Sequence, residues 1–393
     1  VVGNNIIYVV NSDWFFLSHR LPLAQEAIKR GYRVILVSKD TGKRSLVESY
    51  GIQFIDVDFE SSSQNPLKDA QLIFKLRNIY KQYNPKIIHH VTIKPVLYGT
   101  IAARYGTPNL SAVVNAVAGL GYVFTSSERY IVRFWVKQLM RIAFKNIEAR
   151  FIFQNPDDLG FFKKMGFVGK SKYVLIKGSG VDENEYAYTP AIAKEKLQVL
   201  LSARMIKDKG VVEFIEAAIK LKQRWMGKVE FILLGGIDTN NPTSLSEDFL
   251  RKCQVEGYIT WLGHQSNMFE YCKQADIVCL PSFYREGVPK SLIEAMAVGR
   301  PIVTTDSAGC RECVDDGING ILIPIKNSEK LAEAIDYLLN NETLRIKMGK
   351  ASREKMLTGG FSLKQVVHQT FELYDTPLKN HESKDFDSNS RTQ

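Results

Sequence analysis

The sequence has no run of 18 or more apolar residues, so nothing in it reads as a helix spanning a bilayer. Residues 1–10 carry no charged region ahead of their apolar run and read as a strand, not as a secretory signal. Cysteine is scarce, with five residues, an odd number, all in the second half. That argues for reduced thiols in a cytosolic setting and against a disulfide framework. Cys310 and Cys313 form a C-x-x-C, but no second Cys or His pair completes a zinc site, so they read as small residues in a turn. No helix-turn-helix, zinc-finger or RNP-like pattern occurs, which sets nucleic acid aside as a partner. Acidic residues are sparse in one half only. Residues 1–180 hold 25 Lys and Arg against 12 Asp and Glu, whereas residues 181–393 hold 27 against 30. The first half is therefore +13 and the second −3, summing to the formal +10, and the excess points to an anionic partner of the first half.

What is present fits two soluble domains: 393 residues, 45% hydrophobic and 24% charged. Short β-branched runs at 6–10, 34–38, 54–57, 87–90, 111–114 and 151–153 alternate with amphipathic helical stretches. The same alternation restarts after residue 182, with runs at 199–202, 230–234, 259–262, 277–280 and 301–304. Near-continuous apolar strands between helices predict an α/β fold with two doubly wound, parallel, Rossmann-like sheets. A ligand cleft between them is expected at the carboxyl ends of the strands. The expected divisions are 1–178, 179–360, a closing helix at 361–375 and a polar, disordered tail at 376–393.

The densest chemistry lies at 281–294, directly after the run at 277–280. Its loop feeds a helix N-terminus, where unpaired amides and the positive dipole end suit a phosphate. Glu286 at the loop's start is placed to bond sugar hydroxyls, and Glu294 in the helix to take both hydroxyls of a ribose. A loop acid and an ordinary helix charge remain the plainer readings of each residue alone.

Together, Glu286 and Glu294 resemble the E-x7-E signature of retaining glycosyltransferases of the GT-B fold, family 4. The likeness extends over most of the chain. Arg204 and Lys209, five apart after a strand, resemble that family's pair of cations, suited to clamp a diphosphate. Gly235-Gly236 and 261–264 resemble its nucleotide-facing loops. The implied donor contacts are Arg204, Lys209, Gly236, Glu286, Gly287, Val288, Lys290, Ser291, Leu292 and Glu294. Pro289 stands where many members carry Gly and removes one amide, leaving those of Lys290, Ser291 and Leu292.

The first half departs from the common family pattern, lacking a Gly pair after its first strand. Its Phe15-Phe16-x-x-His19-Arg20-Leu21-Pro22-Leu23-Ala24 instead resembles a subgroup acting on undecaprenyl-diphosphate-linked sugars, as do 88–95 and 115–124. The resemblance implies acceptor contacts at Phe15, His19, Arg20, Lys94, Gly119, Leu120 and Gly121. It also implies His90 beside the reacting sugar as a catalytic residue with Glu286. His89, its neighbour on the strand, would face the other way.

Arg129, Arg133, Lys137, Arg141 and Lys145 recur every four residues among aromatic and aliphatic side chains, with Glu128 the one acid nearby. Such a stripe suits an interfacial helix on an anionic membrane; an ordinary solvated face is the alternative. Lys75, Arg77, Lys81 and Lys86 add charge to the same half. Asp56-Val57-Asp58 is formally a D-x-D, but lies far from the donor motifs and reads as strand-end polarity, so no metal or other cofactor is expected.

The expected function is transfer of a sugar, N-acetylhexosamine by the subgroup resemblance, from a UDP-sugar to a lipid-linked saccharide. The expected place is the inner face of the cell membrane. A nucleotide-sugar epimerase of the same fold and a non-catalytic, membrane-bound sugar-binding protein are the rivals.

Overall fold

The computed structural model describes residues 4–59, 66–104, 110, 112–121, 130–144, 149–169, 171–192, 194–239 and 241–376. Among them, two parallel sheets form. The first joins β1 (Asn5–Ser12), β2 (Arg33–Lys39), β3 (Gln53–Asp56), β4 (Ile87–Val91), β5 (Ala112–Val117), β6 (Arg150–Phe153) and β7 (Lys172–Leu175) in the order β3-β2-β1-β4-β5-β6-β7. The second joins β8 (Leu197–Ser202), β9 (Val229–Leu234), β10 (Ile259–Trp261), β11 (Ile277–Leu280), β12 (Ile302–Thr305) and β13 (Gly320–Ile323) in the order β10-β9-β8-β11-β12-β13. Strand order reverses beside β1 and β4 in one sheet and beside β8 and β11 in the other. Crevices open at such points, outside the carboxyl ends of the strands.

The central strands are apolar because helices cover both faces. Ile6 to Val10 and Leu200 to Leu201 are buried almost completely. Two strands have no counterpart in the sequence expectation, β7 and β13. Each is four residues long, at a sheet edge, with partly exposed side chains; β7 opens on Lys172, and the short run of β13 lies between Gly320 and Pro324. After β1 the chain folds at once into a short helix, Asp13–His19. Asp13, fully buried, accepts amide protons from Trp14, Thr41 and Lys43 and so ties this helix to the turn after β2.

The closing helix, Leu363–Asp375, packs on the first sheet, although the chain has just left the second. Val366, Phe371, Leu373 and Tyr374 join Tyr8, Ala24 and Ala27 in one buried cluster. Arg30 lies over the Phe371 ring at 4.0 Å, and the Tyr374 hydroxyl pairs with His89 Nδ1. Arg150, 2% exposed, donates from Nη1 to the Tyr374 carbonyl at 2.8 Å and from Nη2 to that of Thr376. A buried guanidinium is thus held by the carbonyl end of a helix, where the dipole favours a cation. Residues 377–393 of the expected tail lie outside the described residues.

Candidate active site

Two loops at the switch point of the second sheet build the site. The loop after β8 carries Arg204 and Lys209, and the loop after the neighbouring β11 carries Glu286. The buried Asp208 joins them, its carbonyl accepting from the amides of Phe283 and Tyr284 at 2.9 Å and from Ser282 Oγ at 3.1 Å. Glu286, 8% exposed, pairs through Oε1 with Lys209 Nζ and accepts from Ser282 Oγ at 3.0 Å. Lys209 also lies 5.6 Å from the centre of the Tyr284 ring. Arg204 Nη1 meets Asp238 Oδ2 at 2.5 Å. Gly236 supports the turn, its carbonyl accepting from the Met205 amide at 3.0 Å.

The loop runs into the helix Lys290–Val298 with Pro289 as N-cap. Glu294 is buried there, accepting from the Tyr186 hydroxyl at 3.1 Å with Lys290 Nζ 3.7 Å away. Burial pushes its carboxyl pKa up, against the pull of Lys290 and Tyr186. Of the amides expected at Lys290, Ser291 and Leu292, that of Leu292 is spent on the Pro289 carbonyl at 3.1 Å, and the neighbouring Val288 amide is held by Gln154 Oε1 at 3.0 Å. Among the described residues, the Lys290 and Ser291 amides have no partner, so the anion-binding end of the helix is narrower than expected.

On the first sheet, the helix after β1 brings Phe15 and His19 together as a stacked pair, 4.2 Å apart and 2° from parallel. Ser18 on the same helix accepts from Lys290 Nζ at 3.1 Å, so the two halves touch here. Lys94 Nζ donates to the Phe59 carbonyl at 3.2 Å and lines a cavity of about 260 Å³ with Lys68 and Lys75. Gly119, Leu120 and Gly121 lie against the donor loop: the Gly121 amide donates to the Arg285 carbonyl at 3.1 Å. A Cβ on Gly119 (φ +88°) would stand 2.5 Å from the Gly287 amide nitrogen.

Two expected site residues lie buried in the first half. His90 is fully buried, with Nδ1 2.8 Å from Asn115 Oδ1 and Nε2 2.9 Å from the Tyr80 hydroxyl. Both ring nitrogens are engaged inside the first half, and burial drops its pKa to about 4. Alternation along β4 did place His89 on the opposite face, against Tyr8 and Tyr374. Arg20, 4% exposed, donates to the His19 carbonyl at 2.9 Å beside Tyr8 and Tyr374. The D-x-D carboxylates are structural: Asp56 accepts from the Asp40 amide, and Asp58 pairs with Lys39 at 3.0 Å.

Other contacts at the site had no warning in the sequence. Gln154, Asn155 and Asp158, at the start of the helix Pro156–Lys164, reach the donor loop from the first half. Arg285 pairs with Asp158 at 3.0 Å, and burial still pushes that carboxyl up to about 6. The available signal was Asn155-Pro156-Asp157-Asp158, which reads as a helix start and says nothing of a partner.

The basic-aromatic segment is a helix, Tyr130–Phe144. Met140, Ala143 and Phe144 face the core, while Phe134, Trp135, Arg141 and Ile142 are exposed. Lys137 is half-buried, 5.8 Å from the Phe161 ring. Arg129 and Lys145 lie outside the described residues, and Arg133 is described only as part of the helix. Among the described residues, no helix is long and apolar enough to cross a membrane, and no group of three His, Cys, Asp or Glu is arranged to hold a metal.

Two Rossmann-like sheets facing a cleft, with cations and carboxylates at the strand ends of the second, define a GT-B glycosyltransferase. The chain belongs to the group 1 glycosyl transferases: that family's model matches residues 182–355, and the glycosyl transferase 4-like model matches residues 5–155. It is 30% identical to the N,N'-diacetylbacillosaminyl-diphospho-undecaprenol alpha-1,3-N-acetylgalactosaminyltransferase of Campylobacter jejuni, over 93% of this chain and 99% of that one. It is 26% identical to an Escherichia coli UDP-Gal:alpha-D-GlcNAc-diphosphoundecaprenol alpha-1,3-galactosyltransferase, over 78% and 80%. Among solved structures, Anabaena HepE in complex with UDP and glucose shares the fold with a TM-score of 0.72 at 18% identity, covering 94% of this chain and 98% of that one.

Proposed function

We propose that this glycosyltransferase moves an N-acetylhexosamine from a UDP-sugar to a polyprenyl-diphosphate-linked saccharide, with retention at the anomeric carbon. The observation that carries the reading is the meeting of Arg204, Lys209, Glu286 and Glu294 around the switch point of one sheet. Arg204 and Lys209 hold the diphosphate and stabilise its charge as the bond from C1 to the phosphate oxygen breaks. The acceptor hydroxyl oxygen bonds to C1 on the same face, and its proton passes to the departing phosphate oxygen. Glu286 orients the sugar, Glu294 takes the ribose, and the Lys290 and Ser291 amides take phosphate oxygen. These cations supply the charge a metal would bring, so EDTA leaves the rate unchanged. Phe15, His19 and Lys94 form the acceptor side.

The named activities of the Campylobacter and Escherichia relatives support a lipid-diphosphate acceptor, and the UDP in the HepE structure supports the nucleotide. A crystal structure with UDP tests the site. The reading places the β-phosphate between Arg204 and Lys209 and the ribose on Glu294; UDP bound elsewhere would sink it.

The same proposal sets the enzyme on the inner face of the cell membrane through the exposed Phe134, Trp135, Arg141 and Ile142. Aromatic side chains beside a cation suit the headgroup region, where each basic residue is worth about 1 kcal/mol. Trp135→Ala combined with Arg141→Glu should weaken binding to anionic phosphatidylglycerol vesicles by about tenfold or more. Unchanged co-sedimentation would leave the helix an ordinary surface element.

A further inference from the structure

The donor loop is held from both halves of the molecule. Its own half fixes the carboxylate of Glu286 through Lys209 and Ser282. The other half fixes the backbone on either side. Asn155 Nδ2 donates to the Glu286 carbonyl at 3.0 Å, and Gln154 Oε1 accepts from the Val288 amide at 3.0 Å. The Gly121 amide donates to the Arg285 carbonyl, and Asp158 pairs with the Arg285 side chain. Gln154 and Asn155 are buried, at 6% and 0% exposure. Gly287 is what lets them in, because a Cβ there would stand 1.8 Å from Gln154 Oε1.

We infer that Gln154 and Asn155 are positioning residues that set the backbone of the loop carrying Glu286, so that its carboxylate is aimed at the donor sugar only when the two halves are closed. The inference rests on the reading that Glu286 orients that sugar. Neither side chain needs to touch the donor. Asn155 acts through the carbonyl of Glu286 itself and Gln154 through the amide of Val288, two residues on, and an amide pair at the end of β6 does this without adding charge to the cleft. The arrangement also separates two kinds of donor contact. Arg204, Lys209 and Glu294 address the nucleotide and diphosphate from one half alone, whereas the sugar's carboxylate depends on the other half.

Asn155 has a second task that the test must spare. Its Oδ1 caps the helix Pro156–Lys164 by accepting from the Asp158 amide at 2.8 Å. Serine caps comparably well, so Asn155→Ser keeps the cap and removes Nδ2, which donates to the Glu286 carbonyl and, at 3.1 Å, to Asp158 Oδ2. Gln154→Met keeps the length of the side chain and removes the acceptor for Val288. The expected result for both variants is a kcat for sugar transfer lowered tenfold or more, with UDP affinity by calorimetry within twofold of the parent and an unchanged Tm. Parent-like kcat in both would overturn the inference. Equal losses of UDP affinity and kcat would also overturn it, since they mark general damage to the cleft. A parent enzyme that binds UDP but transfers no sugar would instead overturn the function on which the inference rests.

Discussion

Lys209→Ala is expected to lower kcat for sugar transfer by about 10²–10³-fold, the usual consequence of deleting one group aimed at charge that develops in a transition state. Lys209 is the cation nearest Glu286, held by it and by the Tyr284 ring, and its side chain is mostly shielded from water. Such a charge needs little reorganisation when the diphosphate departs, and the shielded setting strengthens its pull. The deletion also leaves the Glu286 carboxylate with Ser282 as its side-chain partner, which loosens the orientation of the donor sugar. The fold should survive because the loop is tied by the Asp208 carbonyl, which the substitution does not touch. Steady-state kinetics with a Tm control checks this. A loss below tenfold, at unchanged Tm, would remove Lys209 from the chemistry.

The second large effect concerns stability. A chain ending at Ser362 should fail to give a stable first half. Val366, Phe371, Leu373 and Tyr374 are buried against that half. At about 1.5–3 kcal/mol per large apolar side chain, their loss removes on the order of 6–12 kcal/mol, as much as a typical domain's whole stability of about 5–15 kcal/mol. The buried Arg150 would also lose the Tyr374 and Thr376 carbonyls that accept from it. Calorimetry of the truncated chain should show the first-half transition lost or the protein insoluble. A soluble product melting within a few degrees of the full chain would contradict this packing.

The donor side was legible because its chemistry is local. Glu286 and Glu294 lie on one strand-loop-helix unit, and Arg204 and Lys209 on the turn of the adjacent strand, so spacing along the chain stands in for distance. The contacts across the cleft have no such shorthand. Asn155 and Glu286 are 131 positions apart, and an amide bonding a carbonyl leaves no pattern in either segment. The setting of His90 was hidden for a related reason. Alternation tells which face a side chain takes, but β4 is covered on both faces, so neither histidine opens to the cleft. The closing helix showed its amphipathic spacing yet not its destination, because either sheet would have buried the same apolar stripe. The charge asymmetry marked the basic half, while the structure identifies which members of the helix at 130–144 are exposed beside Trp135.

The account's central claim is tested most directly by following sugar into lipid. Purified enzyme in EDTA is given radiolabelled UDP-N-acetylglucosamine or UDP-N-acetylgalactosamine and a polyprenyl-diphosphate-linked monosaccharide, and the organic phase is counted. The account predicts label in the lipid product from one of the two donors, with the α configuration of the donor kept in the new linkage by NMR. No transfer from any UDP-sugar to the lipid acceptor, free-sugar epimerisation in its place, or a β linkage would contradict it.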